Sequence, residues 1–357
     1  MGCEELKKRS LVKGSYPMWA SSVRSRRLVI CAAAVLLSAC NGAFAPPTAP
    51  WSVADQSQTV RTPLNHPLAV VLEHGGYHPA AVRQDGEPSW MAAEAQAQDL
   101  LYVSNVHDVT VYSYPQGKLE GKLNGFYYAL GDCVDKAGNI WISDPGHNRM
   151  VEYAHGATKP RAVLKDEGGS GCAVDPTTGN LAVARGSIVS IFKNARGKPV
   201  SYSDPKITAY NLCGYDNKGN LFVDGLNGSN KFQFAELVRG GSKLTNITLD
   251  QAIGWPGGVQ WDGKHVAIGD ENAPVIYQFD IAGGRGMKVG TTPLGPNART
   301  VFQYFIDGPT VVAPNECASS CTSDLLFFAY PAGGKATKKI TKGIFYPRGT
   351  AVSKGHT

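Results

Sequence analysis

The feature that most constrains this chain is a repeat. Alternating runs ending near an aromatic or large apolar residue recur as "VTVYSYP", "RMVEYAH", "SIVSIFK", "KFQFAEL", "PVIYQFD" and "LLFFAYP". Comparable positions are Tyr114, Tyr153, Phe192, Leu237, Phe279 and Tyr330, spaced by 39, 39, 45, 42 and 51 residues. A unit of this length with several short strands cannot bury its own face, so the copies must stack on one another. The period is that of a propeller blade. The 41 Gly and 22 Pro among 357 residues fit a fold made of tight turns.

Each copy carries further parts in a fixed order. A glycine-bearing segment comes first ("LGDCVD", "GSGCAVD", "NLCGYD", "PGGVQWD"), then a turn ("DKAGN", "DPTTGN", "DNKGN", "WDGKH"), then a second strand. The turn Asp can bond backbone amides, and the Gly can take the left-handed position that closes the hairpin. The first copy begins directly at a second strand, "DLLYVSN". The last segment, "YPRGTAVS" (346–353), is an inner strand with no blade after it. Joined, they complete one four-stranded blade. The expectation is an all-β, six-bladed propeller closed by a C-terminal inner strand in the first blade, which leaves no long sheet edge bare.

The run "CVDKAGNIWISDPGHNRMVEY" closely resembles an NHL repeat, and the other copies are looser matches. The whole resembles bacterial lipoproteins built on six-bladed NHL-like propellers, with a more distant similarity to gluconolactonase/regucalcin and the paraoxonases. The distant similarity implies an alternative function, a calcium-dependent lactonase or lyase. In that family a Pro-Asn-Gly element supplies one ligand; here Gly257 stands where Asn is wanted. Another slot holds Leu130, with Ser170 and Asn211 in the next copies, and only Asn211 could bind. A hard cation needs several converging oxygens. The reading that follows is no metal and no cofactor, calcium entering only under the alternative.

Residues 24–40, "RSRRLVICAAAVLLSAC", join a basic stretch to ten apolar residues, Leu28 to Leu37. That is too short to span ~30 Å of hydrocarbon and fits a secretory signal. The ending Leu37-Ser-Ala-Cys40 resembles a bacterial lipobox, which implies cleavage before Cys40 and its lipidation. Asn41 in place of Asp would favour the outer membrane in a two-membrane cell. The organisation expected is a signal over 1–39 (1–17 read as a mis-called start), a lipidated tether over 40–65, an extension packing on the propeller over 66–98, the propeller over 99–353 and a tail over 354–357. Seven of the 35 Lys/Arg and two of the 29 Asp/Glu precede Cys40. The remaining 28 basic and 27 acidic residues give no electrostatic footprint for nucleic acid.

Five cysteines remain after Cys40, an odd number in an oxidising compartment. Cys317 and Cys321, in "NECASSC", are expected to staple an insertion in the sixth blade. Cys172 and Cys213 each lie three residues before a turn Asp, in equivalent positions. Cys133 lies two before Asp135, so it should face the other way. For these three, apolar filling, a disulfide between two of them and soft-metal thiolates at the channel all stay open.

Asp270-Glu271-Asn272 is the densest oxygen cluster, read first as a solvated turn and, with Asn211, as a weak binding candidate. His107, His147 and His265 show no metal spacing, and Asp144 with Arg149 reads as a brace between strands. No catalytic set emerges. The expectation is an extracytoplasmic protein anchored to a bacterial membrane by its N-terminal lipid, with loops around a channel binding an envelope protein, peptide or glycan.

Overall fold

The computed structural model describes residues 86–317 and 322–355. The signal, Cys40 and most of the tether and extension lie outside them, as do Cys321 and the end of the tail.

Six sheets follow one another along the chain, and in blades 2, 3, 4 and 6 the first strand is innermost. In blade 2 the order from the centre outwards is Asp132–Val134, Ile140–Asp144, Arg149–Tyr153 and Pro160–Lys165. Blade 3 runs from Gly171–Val174 to Val200–Tyr202, and blade 4 from Ala209–Tyr215 to Thr245–Asn246. Blade 5 runs from Pro256–Trp261 to Arg285–Pro293, and blade 6 from Phe305–Asp307 to Lys338–Ile340. Blade 1 is composite. Its inner strand is Gly349–Ser353, paired antiparallel with Leu100–Ser104 from Ser353 opposite Leu100 to Ser104 opposite Gly349. The tail strand therefore closes a six-bladed β-propeller. Blade 1 also gains a fifth strand, Trp90–Met91, on its outer edge. Blade 5 gains Thr248–Leu249, which runs parallel to its outermost strand.

The glycines of the inner segments have a steric cause. A Cβ on Gly349 would lie 2.1 Å from the Leu130 carbonyl oxygen, and one on Gly214 would lie 2.5 Å from that of Val259. Neighbouring inner strands approach too closely near the axis to admit a side chain there. The Asp turns form as their chemistry demands. Asp135 Oδ1 accepts the amides of Ala137 and Asn139, each at 2.8 Å, and Asp216 does the same for Lys218 and Asn220.

The apolar faces meet between blades. Cys133, Trp141 and Met150 of blade 2 pack on Cys172, Leu181, Val183 and Phe192 of blade 3. Within this layer Cys133 and Cys172 form a disulfide, with Cα atoms 5.7 Å apart. Cys172 pairs across its sheet with Val183 and Cys133 with Trp141, so one faces the following blade and the other the preceding blade. Cys213 repeats the Cys172 position: each sulfur lies against a carbonyl of the preceding blade, Trp141 O at 3.8 Å and Ala182 O at 4.0 Å. Two cysteines facing the same way on successive blades cannot meet, and Cys213 remains a free, buried thiol.

Candidate functional site

Loops joining second to third strands, and those leading into inner strands, share one face of the ring. One residue at the end of a second strand fastens them in four blades. Asp144 Oδ1 accepts the amides of Tyr127 and Tyr128, at 3.2 and 3.0 Å. Asp270 accepts those of Gly254 and Trp255, at 2.7 and 3.2 Å. Asn315 accepts from Arg299 at 2.7 Å, and Asn105 from Phe345 at 3.0 Å. Asp144 also takes Arg149 Nε at 2.9 Å and His147 Nδ1 at 2.8 Å, so the Asp144–Arg149 pair is a brace.

This corrects the solvated-turn reading of Asp270. The residue is buried, with Oδ2 on Gly254 and Oδ1 shared by Trp255 and Asn272. Asn272 is exposed, and Glu271 is half-buried. Asn211 donates from Nδ2 to Pro256 O at 3.2 Å, tying blade 4 to blade 5. Of the four weak candidates, Asn211 and Asp270 commit their side chains to the scaffold. His107 Nδ1 meets Tyr127 O at 2.9 Å, and His265 Nδ1 meets Asp280 Oδ1 at 2.6 Å on the opposite, turn-bearing side. Cys317 is disulfide-bonded, and its expected partner Cys321 lies outside the described residues.

Two features of the loop face were not read from the sequence. The first is a run of rings over blades 1 and 2. Tyr127 lies between His107 (centroids 6.5 Å apart) and His147 (5.8 Å), and Phe345 meets Tyr346 edge to face at 4.7 Å. Phe345 is 49% exposed, an unusual position for a ring of that size. Tyr346 holds a left-handed φ of 48°, uncommon for a bulky side chain. It packs beside Val106, Tyr128 and Leu130.

The second is a set of charged side chains carried by the loop-face ends of several blades. Arg348, just before the tail strand, binds Glu316 of blade 6 with Nη1 on Oε2 at 2.8 Å and Nη2 on Oε1 at 2.9 Å; both residues are buried. Burial pushes the Glu271 carboxyl up to about 7, with Arg348 opposing and Glu316 and Asp270 adding. Asp224, fully buried on the second strand of blade 4, is likewise raised by burial and by Glu271. A signal for two of these was present: Glu271 and Glu316 each directly follow a bracing residue, Asp270 and Asn315.

Leu130 and Gly257 offer no side-chain oxygen, and among the described residues no group of three or more His, Cys, Asp or Glu could hold a metal ion. A separate cleft of about 700 Å³ lies between blades 5 and 6 on the turn side, lined by Val289, Pro331, Gln278 and Tyr330. Its main polar groups are engaged, with Tyr330 donating to Asp262 at 2.6 Å and Gln278 to Thr292 at 2.8 Å.

With this geometry in view, the comparisons are informative about fold. No protein-family model matches the chain. No curated protein matches it either. Solved structures do. A chain from a nidogen/laminin complex is 12% identical, with TM-score 0.60, over 72% of this chain and all of that one. A protein of unknown function from Bacteroides caccae is 13% identical, with TM-score 0.54, over 72% of this chain and 99% of that one. Kuenenia stuttgartiensis hydrazine synthase is 14% identical, with TM-score 0.50, over 71% and 80%. Likeness at these identities fixes the propeller and leaves the function to the site.

Proposed function

We propose that this protein is a lipid-anchored, extracytoplasmic binding propeller, presenting its loop face to an envelope protein, peptide or glycan. The observation that carries this reading is the ring cluster over blades 1 and 2. Tyr127, His147, Phe345 and Tyr346 gather on the face where the loops are braced, and Phe345 stands exposed. Exposed aromatics on a rigid frame offer large contact area at little entropic cost. The structural neighbour from a nidogen/laminin complex supports interaction at the level of fold. The anchor rests on Leu37-Ser-Ala-Cys40, and an NHL-like ancestry on "DKAGNIWISDPGHNRMVEY".

Two substitutions test it. Phe345→Ala should weaken retention of the envelope partner at least tenfold while leaving the far-ultraviolet circular dichroism unchanged. Cys40→Ala should leave the chain without acyl label. Full retention by Phe345→Ala contradicts the loop-face reading; label surviving in Cys40→Ala contradicts the anchor.

A further inference from the structure

The balanced charge of the chain conceals a sorted surface. Many carboxylates lie inside the scaffold: Asp132, Asp144, Asp224, Asp270 and Glu316 are all buried. The basic residues lie outside, and the repeat places them. In every blade the turn between third and fourth strands ends on Lys or Arg: Lys118, Lys159, Lys198, Lys243, Arg285 and Lys335. All are exposed, and all belong to the turn side, opposite the loop face. Lys118 is held by Glu94 at 2.8 Å; the others have no ion-pair partner among the described residues.

Blades 3 and 4 are the densest. Lys193 and Arg196 precede Lys198, and Arg239 precedes Lys243, all of them exposed. The turn aspartates of the same two blades, Asp175 and Asp216, are buried, each accepting an amide of its own turn at 2.8 Å. The loop face differs. Its exposed lysines, Lys206, Lys231 and Lys342, are offset by the exposed Asp166 and Asp250.

A second observation is independent of charge. Three large apolar side chains stand exposed beside these basic residues. Val200 (60% exposed) lies two positions after Lys198, Val238 (51%) next to Arg239, and Met287 (55%) two positions after Arg285. They come from three successive blades, 3, 4 and 5, at the turn ends of their strands. An exposed apolar residue standing singly needs no explanation. Three on one side, each set among cations, match a surface that meets a bilayer interface, where apolar groups enter the headgroup boundary and cations meet phosphates.

Resting on the lipid anchor proposed above, we infer that the turn side of blades 3 to 5 lies on the anionic phospholipid surface of the membrane that holds the anchor. Extended, the 45 residues between Cys40 and Gly86 reach roughly 150 Å. Chain length therefore does not choose which face meets the membrane; surface chemistry does. Val200, Val238 and Met287 enter the headgroup boundary, and Lys198, Arg239 and Lys243 meet phosphates. Each basic residue near such a surface strengthens attachment by roughly fivefold. The loop face is then left free for partners.

The test places a photo-crosslinking amino acid at Val238 in the full chain. The protein is bound to vesicles of phosphatidylcholine, alone or mixed with phosphatidylglycerol, and phospholipid adducts are read by mass spectrometry. Adduct yield should be about tenfold higher on the mixed vesicles, and high salt should erase the difference. Adding Lys198→Glu, Arg239→Glu and Lys243→Glu should lower the yield on mixed vesicles by about tenfold or more. Lys206→Glu, Lys231→Glu and Lys342→Glu together make the same change in net charge on the loop face and should leave the yield within about twofold. Unchanged circular dichroism shows that both triple variants fold. Equal yields on the two kinds of vesicle, or equal losses in the two triple variants, overturn the inference. So does a discrete protein crosslinked at Val238 in intact cells, which would assign the surface to an acidic protein. Absent adducts in a chain acylated at Cys40 reject this inference and leave the anchor standing; adducts with the anionic preference in an unacylated chain reject the anchor and leave the basic surface standing.

Discussion

Arg348 and Glu316 join the two ends of the ring. The guanidinium precedes the tail strand of blade 1, the carboxylate follows the second strand of blade 6, and they meet through two bonds of 2.8 and 2.9 Å. Both are buried, so each depends on the other for its solvation. Removing one partner leaves an uncompensated buried charge, which costs about 3–5 kcal/mol, whereas replacing both by apolar groups is often near neutral. Glu316→Leu should therefore lower stability in urea by about 3 kcal/mol or more. The double variant Glu316→Leu with Arg348→Met should recover most of that loss, and equal destabilisation of single and double variants would contradict the pairing.

Asp132 gives a pH dependence of known sign. It is fully buried, with Oδ1 accepting from Ser104 Oγ at 2.6 Å, and burial pushes its carboxyl up to about 7 against the two Ser104 bonds that lower it. Its folded form holds a proton that the unfolded chain releases near pH ~4. Its contribution is fully present below that pH and is lost as pH rises towards 7. Asp132→Asn should flatten the stability profile between pH 4 and 7 by up to about 1.4 kcal/mol per pH unit. Urea midpoints measured across that window check this; parallel profiles for parent and variant would contradict it.

The disulfide and the free thiol should respond oppositely to reagents. Cys133 and Cys172 lie 39 residues apart in sequence and bridge two blades. Opening the bridge by Cys172→Ser should cost about 2–4 kcal/mol, read as a lowered denaturation midpoint. Burial pushes the Cys213 thiol well above its usual range, so it should resist alkylation in the native state and react only in denaturant. Peptide mapping after iodoacetamide shows which, and native labelling at Cys213 would contradict the packing.

Much of the fold was legible because its signals are local or periodic. Asp135 and Asp216 announce their turns, and the unpaired inner strand over 346–353 announces how the ring closes. The parallel strand Thr248–Leu249 was not legible: two residues have no period. The disulfide was legible only as alternatives. The reading that Cys133 faces opposite to Cys172 supplies the reason they can meet, but spacing alone does not choose the pair. The site was least legible. Asp270 looked solvated because its partners are the backbone amides of Gly254 and Trp255, which carry no residue identity. Arg348 and Glu316 meet only through closure of the ring, a contact no local pattern encodes.

The central claim, that partners dock on the loop face around the channel, is tested most directly by placing a photo-crosslinking amino acid at Phe345 and, in a second variant, at Lys218 on the turn side. After irradiation in intact cells, the Phe345 variant should yield a discrete crosslinked envelope species and the Lys218 variant none. The reverse pattern, or the same species from both positions, would contradict it.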